Sequence, residues 1–305
     1  MTRLLVVGLG AIGGYAAAVL SAHGADVHVL ARGRTLDVVR REGLRITGGP
    51  DAVTAHPTVW GDLDDAGPFD VVLIATKAHD TAAAVAAVRD HLAPDPLVLA
   101  LQNGVGRGAV VSSLLGRDVG LDGVVYLEAR MEEPGVVTFL SGARRFEIGD
   151  PTHDVAQRAE PLARVLSASG LHAVASADPH TAAWRKLVLV ATANSMTGAT
   201  RERFGALIAD DEGREVARTL LAEGVAVAAA DGADLGPDFA TEAFDFLVEV
   251  GPSLRSSMLH DVERGRRTEV DALNGDVVRR GAALGVPTPA HRVMHLVLGG
   301  VSARP

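Results

Sequence analysis

Cysteine is absent from the chain, which excludes disulfides, thiolate metal sites, iron–sulfur clusters and cysteine nucleophiles. Aromatic residues are scarce. The 2 Trp, 2 Tyr and 7 Phe make up 4% of the chain, too few for the stacking platforms that hold single-stranded nucleic acid. A basic excess is missing as well: 29 Lys and Arg against 38 Asp and Glu leave a net charge of −9. That is the wrong sign for a surface that neutralises phosphate backbones. The G-x-S-x-G elbow, the G-x-x-x-x-G-K-[ST] loop and H-E-x-x-H do not occur, and the 11 His lack metal-ligand spacing. Metal catalysis is therefore not expected. Apolar residues are abundant, at 48% of 305, which suits about two domains with substantial cores.

An uncharged run over residues 4–22 imitates a signal peptide or membrane span. Gly8, Gly10, Gly13 and Gly14 interrupt it, and a buried strand followed by a buried helix explains the same apolarity. The expectation is a soluble, cytoplasmic protein that binds neither membrane nor nucleic acid. Continuous Val, Leu and Ile runs predict strands over 3–8, 26–30, 70–76 and 97–102, of the kind buried on both faces of a parallel sheet. Helices are predicted over 11–23, 35–42 and 81–91, and the Ala-rich tracts read as composition bias. A second β-rich group follows over 119–127, 135–140, 145–148 and 171–175. Past Asp178-Pro179 only helical stretches are predicted: 181–196, 204–230, 238–250, 256–264 and 268–284. The fold class is thus α/β, a Rossmann-type doubly wound parallel sheet with extra strands over 1–176, then an all-α domain over 177–305. An apolar helical domain fits either a buried core or a homodimer surface.

The first strand runs into Gly8-Leu9-Gly10-Ala11-Ile12-Gly13 and then into a helix. In such a G-x-G-x-x-G turn the glycines permit a tight turn, close approach of a pyrophosphate and helix–strand packing. The helix N-terminus then offers free N–H groups to the phosphates. The second strand ends Val29-Leu30-Ala31-Arg32-Gly33-Arg34, with no acid to accept from a ribose hydroxyl. A guanidinium there suits the 2′-phosphate of NADP(H), through charge-assisted bonds. Two loops after strand ends, Thr76-Lys77-Ala78 and Gln102-Asn103-Gly104-Val105-Gly106, are placed to meet a ligand, although each residue also suits an ordinary turn.

Together with Trp184-Arg185-Lys186-Leu187, Asn194, Ser256-Ser257-Met258-Leu259, Thr268-Glu269-Val270-Asp271 and Asn274-Gly275, these motifs resemble the ketopantoate reductase (2-dehydropantoate 2-reductase) family over almost the whole length. The resemblance implies NADPH-dependent reduction of a 2-oxo acid, ketopantoate to pantoate in the leading case. It places the substrate between the two domains. Lys186 then matches the general acid, and Asn103 a residue touching cofactor and substrate. Asn194 and Ser257 match residues holding the substrate's polar ends. Glu269 matches a glutamate that meets the cofactor and organises the site. Gly8, Gly10 and Gly13, with Leu9, Ala11 and Ile12 between them, match the cofactor loop, and Arg32 and Lys77 complete that set.

Independent chemistry agrees, since reducing a ketone generates an alkoxide that needs a positioned proton donor. Helical spacing puts Lys186, Val190 and Asn194 on one stripe. Here the sequence departs from the family pattern, which has Asn where Val190 stands, so the first rival is a family relative that reduces a different, less polar 2-oxo acid or oxidises the matching 2-hydroxy acid. Ser257 and Glu269 lie about 120° apart on a straight helix, and Gly265 between them predicts two helical pieces. His260 and Asp261 are expected at the surface. The remaining rivals are a β-hydroxyacid dehydrogenase and an NADP-binding redox sensor. Retention of both Lys186 and Glu269 argues against the sensor.

Overall fold

The computed structural model of the protein describes residues 2–252 and 254–302. The chain divides into two compact units, one running up to Gln102 and resuming over Gly106–Pro179, the other made of Asn103–Val105 and everything from His180 onward.

The first unit holds ten strands: β1 (Arg3–Val7), β2 (Asp26–Leu30), β3 (Leu44–Thr47), β4 (Val53–Ala55), β5 (Thr58–Trp60), β6 (Phe69–Ile74), β7 (Leu92–Ala100), β8 (Gly120–Glu133), β9 (Val136–Gly149) and β10 (Ala173–Ala175). They form one sheet in the order β4-β3-β9-β8-β7-β6-β1-β2-β5, with β10 beside β9. Strands β5, β2, β1, β6, β7 and β8 are mutually parallel, as the continuous apolar runs predict. Strand side chains alternate between faces. Thus Leu4, Val6, Val71 and Leu73 enter one core, with Tyr15 and Ala16 of helix α1 (Ala11–Ala22) and Leu162 of α5 (Ala159–Ala168). Leu5, Val7, Val72 and Ile74 enter the opposite core, with Val85 of α3 (Thr81–Val88) and Val111 of α4 (Arg107–Leu115). Helix α2 (Gly33–Glu42) completes the set. Both faces of the sheet centre are covered, which is why Leu4–Val7 of β1 and Val71–Ile74 of β6 are continuously apolar.

Several predicted boundaries are corrected. The short strands β3, β4 and β5 and the helices α4 and α5 were not predicted. Strands predicted apart over 135–140 and 145–148 are one strand, β9. A register shift opposite Tyr126 and Glu128, with left-handed backbone at Gly142 and Arg144, carries the ladder through. The run over 4–22 is divided between β1 and α1, and no described helix is long and apolar enough to cross a membrane.

The second unit contains α6 (Pro179–Thr200, from His180 onward), α7 (Phe204–Leu207), α8 (Asp211–Ala230), α9 (Phe239–Val250), α10 (Ser257–Glu263), α11 (Asn274–Leu284) and α12 (Pro289–Ser302). Its described residues contain no strand. The single helix predicted over 204–230 is interrupted, because the Asp210 carboxylate accepts the Gly213 N–H at 2.8 Å and starts α8 afresh. The helix predicted over 268–284 begins only at Asn274, so residues 264–273 form turns. Gly265 there has φ +61. His260 and Asp261 are not surface residues, since Asp261 is 7% exposed and His260 is half-buried. Helix α12, also unpredicted, starts where Glu223 accepts the N–H groups of Ala290 and His291 at 2.9 and 3.0 Å.

Leu73 is fully buried at the sheet centre. Leu73→Ala is expected to destabilise the first unit by about 2–5 kcal/mol, read as a lower denaturation midpoint in urea.

Candidate active-site residues

In the first unit a cleft of about 330 Å³ opens where β1, β2 and β6 end, lined by Gly8 and Leu9, by Ala31 and Arg32, and by Thr76. The strand order reverses at β1 and β6, the switch point where open α/β sheets hold ligands. Gly8, at φ +98, lies so close to β6 that a Cβ there would stand 2.6 Å from the Thr76 nitrogen. A Cβ on Gly13 would collide with the Gly8 carbonyl oxygen, whereas one on Gly10 would meet nothing within 4 Å. Gly10 therefore faces open space in the same turn that Gly8 and Gly13 pack tight. Helix α1 starts with no side-chain cap and no acid in its first turn. The N–H groups of Ala11, Ile12 and Gly13 precede the first intrahelical bond, from Gly14 to Gly10. That end is polarised to receive an anion. These observations fit a dinucleotide pyrophosphate.

Arg32 is exposed at the start of α2, with its side chain on the cleft. Lys77 opens the turn beside Thr76 and is half-buried. Three contributors lie outside the residues expected from sequence. Asp80 puts an acid on the cleft, and Ala83, Ala84 and Ala87 of α3 line it with small side chains. The Ala-rich signal was visible but read as composition. Gln102 is a third: its Nε2 donates to Thr81 Oγ1 at 2.8 Å and Thr76 Oγ1 at 3.3 Å. It thereby ties the loop after β6 to the end of β7.

The second unit assembles the other predicted residues. Lys186 lies on α6 within electrostatic reach of Glu269, which sits in the turn before α11. Burial lowers the Lys186 ammonium from 10.5 to about 8, with the Glu269 carboxylate pulling the other way. Two turns along α6, Asn194 donates through Nδ2 to Ser257 Oγ at 3.2 Å. The neighbouring serine does structural work: Ser256 Oγ caps α10 by accepting from Leu259 N at 3.1 Å and bonds Thr197 Oγ1 at 2.6 Å. Ser257, exposed beside it, is the one whose hydroxyl meets Asn194. Val190 is half-buried between Lys186 and Asn194 on the same stripe. Asn103 belongs to this unit too, ahead of Gly104 at φ +122. Among the described residues no group of three or more His, Cys, Asp or Glu is placed to hold a metal ion.

One unit carries a glycine turn at a sheet switch point and the other a half-buried lysine, and comparison with known proteins places the chain among oxidoreductases of the CH–OH class that work with a nicotinamide cofactor. The chain belongs to the ketopantoate reductase family. The family model described as ketopantoate reductase PanE/ApbA matches residues 4–153, and its C-terminal counterpart matches 178–302. The 2-dehydropantoate 2-reductase of Archaeoglobus fulgidus is 31% identical over 306 residues, covering 99% of this chain and 98% of that one. A PanE/ApbA family ketopantoate reductase from Ralstonia eutropha JMP134 superposes with TM-score 0.89 at 33% identity, covering 99% and 98% of the two chains. D-mandelate dehydrogenase, solved with NADH and anilino(oxo)acetate, has the same fold, with TM-score 0.89 at 22% identity over 99% and 98% of the chains.

Gly10→Ala is expected to melt with the parent protein yet bind the dinucleotide at least tenfold more weakly. Gly13→Ala is expected to lose stability itself, by about 1–3 kcal/mol for forced overpacking. Thermal melts with and without cofactor distinguish the two.

Proposed function

We infer that the protein reduces a 2-oxo acid to the 2-hydroxy acid with NADPH, 2-dehydropantoate to pantoate being the leading reaction. The observation that carries this reading is Lys186, a lysine brought by burial to about 8 beside a carboxylate. A group that titrates there is largely protonated at neutral pH and still gives up its proton readily. When bound, the nicotinamide supplies hydride to the substrate's 2-oxo carbon. Lys186 holds its Nζ proton for the carbonyl oxygen and delivers it as the C–O π electrons move onto that oxygen, leaving a neutral hydroxyl and a neutral amine. Asn194 and Ser257 offer an amide and a hydroxyl to the substrate's polar ends. Glu269 keeps a negative charge near the ammonium and orients it, while Asn103 hydrogen-bonds cofactor and substrate. Gly8, Leu9, Gly10, Ala11, Ile12 and Gly13 cradle the pyrophosphate. Lys77 adds a cation beside Thr76, and Arg32 pairs with the 2′-phosphate.

A second reading rests on Val190. Ketopantoate carries a hydroxyl on its branched tail, and a half-buried valine cannot hydrogen-bond it. Leaving such a group unpaired costs about 1–3 kcal/mol, roughly 5- to 150-fold in affinity. A less polar 2-oxo acid fits that wall better.

Lys186→Ala is expected to lower kcat for ketopantoate at least a hundredfold, about the range general acid catalysis contributes. Parental turnover in that variant would overturn the acid assignment. Reduction needs the protonated lysine, so its rate should hold below pH 8 and fall about tenfold per unit above it. Oxidation of the hydroxy acid should rise through the same pH. Measured on ketopantoate and its analogue lacking the tail hydroxyl, Val190→Asn should shift kcat/KM toward ketopantoate. A parent that already prefers ketopantoate strongly would remove the second reading.

Arg32→Ala is expected to raise KM for NADPH at least tenfold while leaving that for NADH within twofold. Equal effects on the two cofactors would overturn the 2′-phosphate assignment.

A further inference from the structure

Arg280 of α11 has no role in the reaction as read above, yet its guanidinium joins three separate elements of the helical unit. Its Nε donates to Asp276 Oδ2 at 3.1 Å, one terminal nitrogen to Asp231 Oδ2 at 2.8 Å, and the other to the Val105 carbonyl oxygen at 3.1 Å. Asp231, which closes α8, also accepts the indole N–H of Trp184 at 2.8 Å. The guanidinium lies 5.8 Å from the Trp184 ring centroid. An arginine between two carboxylates is by itself an ordinary clamp. The third bond sets this one apart, because it holds a main-chain carbonyl two residues from Asn103.

Each anchored element leads directly to a residue of the proposed site. Val105 shares its loop with Asn103. Trp184 is fully buried two residues before Lys186 on α6. Two helical residues are about 200° apart, so pinning the indole on one side of α6 sets the direction in which Lys186 points on the other. Asp276 lies in the first turn of α11, and the turn leading into that helix is closed by the Glu269 carbonyl accepting from Ala272 and Leu273 N–H groups.

We propose that Arg280 is a positioning residue for the oxo-acid reduction, fixing Asn103, Lys186 and Glu269 relative to one another by holding the Val105 carbonyl, Asp231 and Asp276 at once. The proposal rests on the roles given to those three residues under the proposed function. A planar guanidinium with donors in a fixed fork is suited to this. An ammonium, being a compact point charge, cannot span the same three acceptors.

The test uses Arg280→Lys and Arg280→Met in the full-length protein, with Lys186→Ala beside them. Per folded molecule, both Arg280 variants are expected to lose about 10- to 100-fold in kcat, the scale of a misplaced reacting group. In the cofactor-free protein, amide hydrogen exchange should accelerate in the segment 101–106 while α9 exchanges as in the parent. Parental kcat in Arg280→Lys would overturn the proposal, as would exchange that accelerates evenly throughout the unit, the mark of a merely stabilising residue. If Arg280→Met does not fold, Arg280→Lys decides alone. A Lys186→Ala variant with parental turnover overturns the functional reading and this proposal together. An inactive Lys186→Ala with parent-like Arg280 variants overturns the positioning role alone.

Discussion

Helix α1 rests on the sheet at Gly13, where the Gly8 carbonyl oxygen occupies the space any side chain would need. The rest of the first unit depends on that contact. With α1 seated this low, Tyr15, Ala16, Ala17, Ala18, Val19 and Leu20 all reach the core over the sheet's first face. The same approach directs the uncapped first turn of α1 at the end of β1. Packing and anion binding therefore place opposite demands on one short loop. Gly13 is fixed by what it would hit, and Gly10 stands where nothing in the protein would be hit. A residue kept small without a protein neighbour to require it points to something outside the chain that must come close.

In the helical unit the governing quantity is the cost of desolvating one ammonium. Burial favours the neutral amine of Lys186, and the Glu269 carboxylate favours the cation. Their balance leaves the group at about 8, high enough to be charged at neutral pH and low enough to release a proton. Burial without the carboxylate would carry the group lower still, and a fully solvated lysine would keep its ordinary, higher value.

What was legible in the sequence follows from the range of each interaction. The parallel strands β1, β2, β6 and β7 announce themselves because burial on both faces writes a continuous apolar run. The glycine turn is legible because its constraint is local. Short strands such as β4 and β5, of three residues each, carry too few positions to show a period. The start of α11 was misplaced because residues 264–273 close through turns that no periodicity marks. Glu269 was legible only through the family motif, since it lies on neither helical piece. Arg280 left no signal at all: its carbonyl partner, Val105, is 175 positions away in the chain. Contacts of that span are decided by tertiary packing, and in sequence they look like one more exposed basic residue of an amphipathic helix.

Under the proposed function, the layout of α6 separates chemistry from selectivity. Lys186, Val190 and Asn194 follow at one-turn intervals, so a ligand lying along the stripe meets a proton donor, an apolar wall and an amide in turn. The end positions are restrained by other elements, Lys186 electrostatically by Glu269 and Asn194 through its bond to Ser257. No hydrogen bond or ion pair ties the side chain of Val190, and none can. Replacing it changes what the middle of the stripe accepts without disturbing the groups that set the donor's proton affinity. Under the proposed function, valine at 190 therefore alters what the middle of the stripe recognises and leaves the proton donor in place.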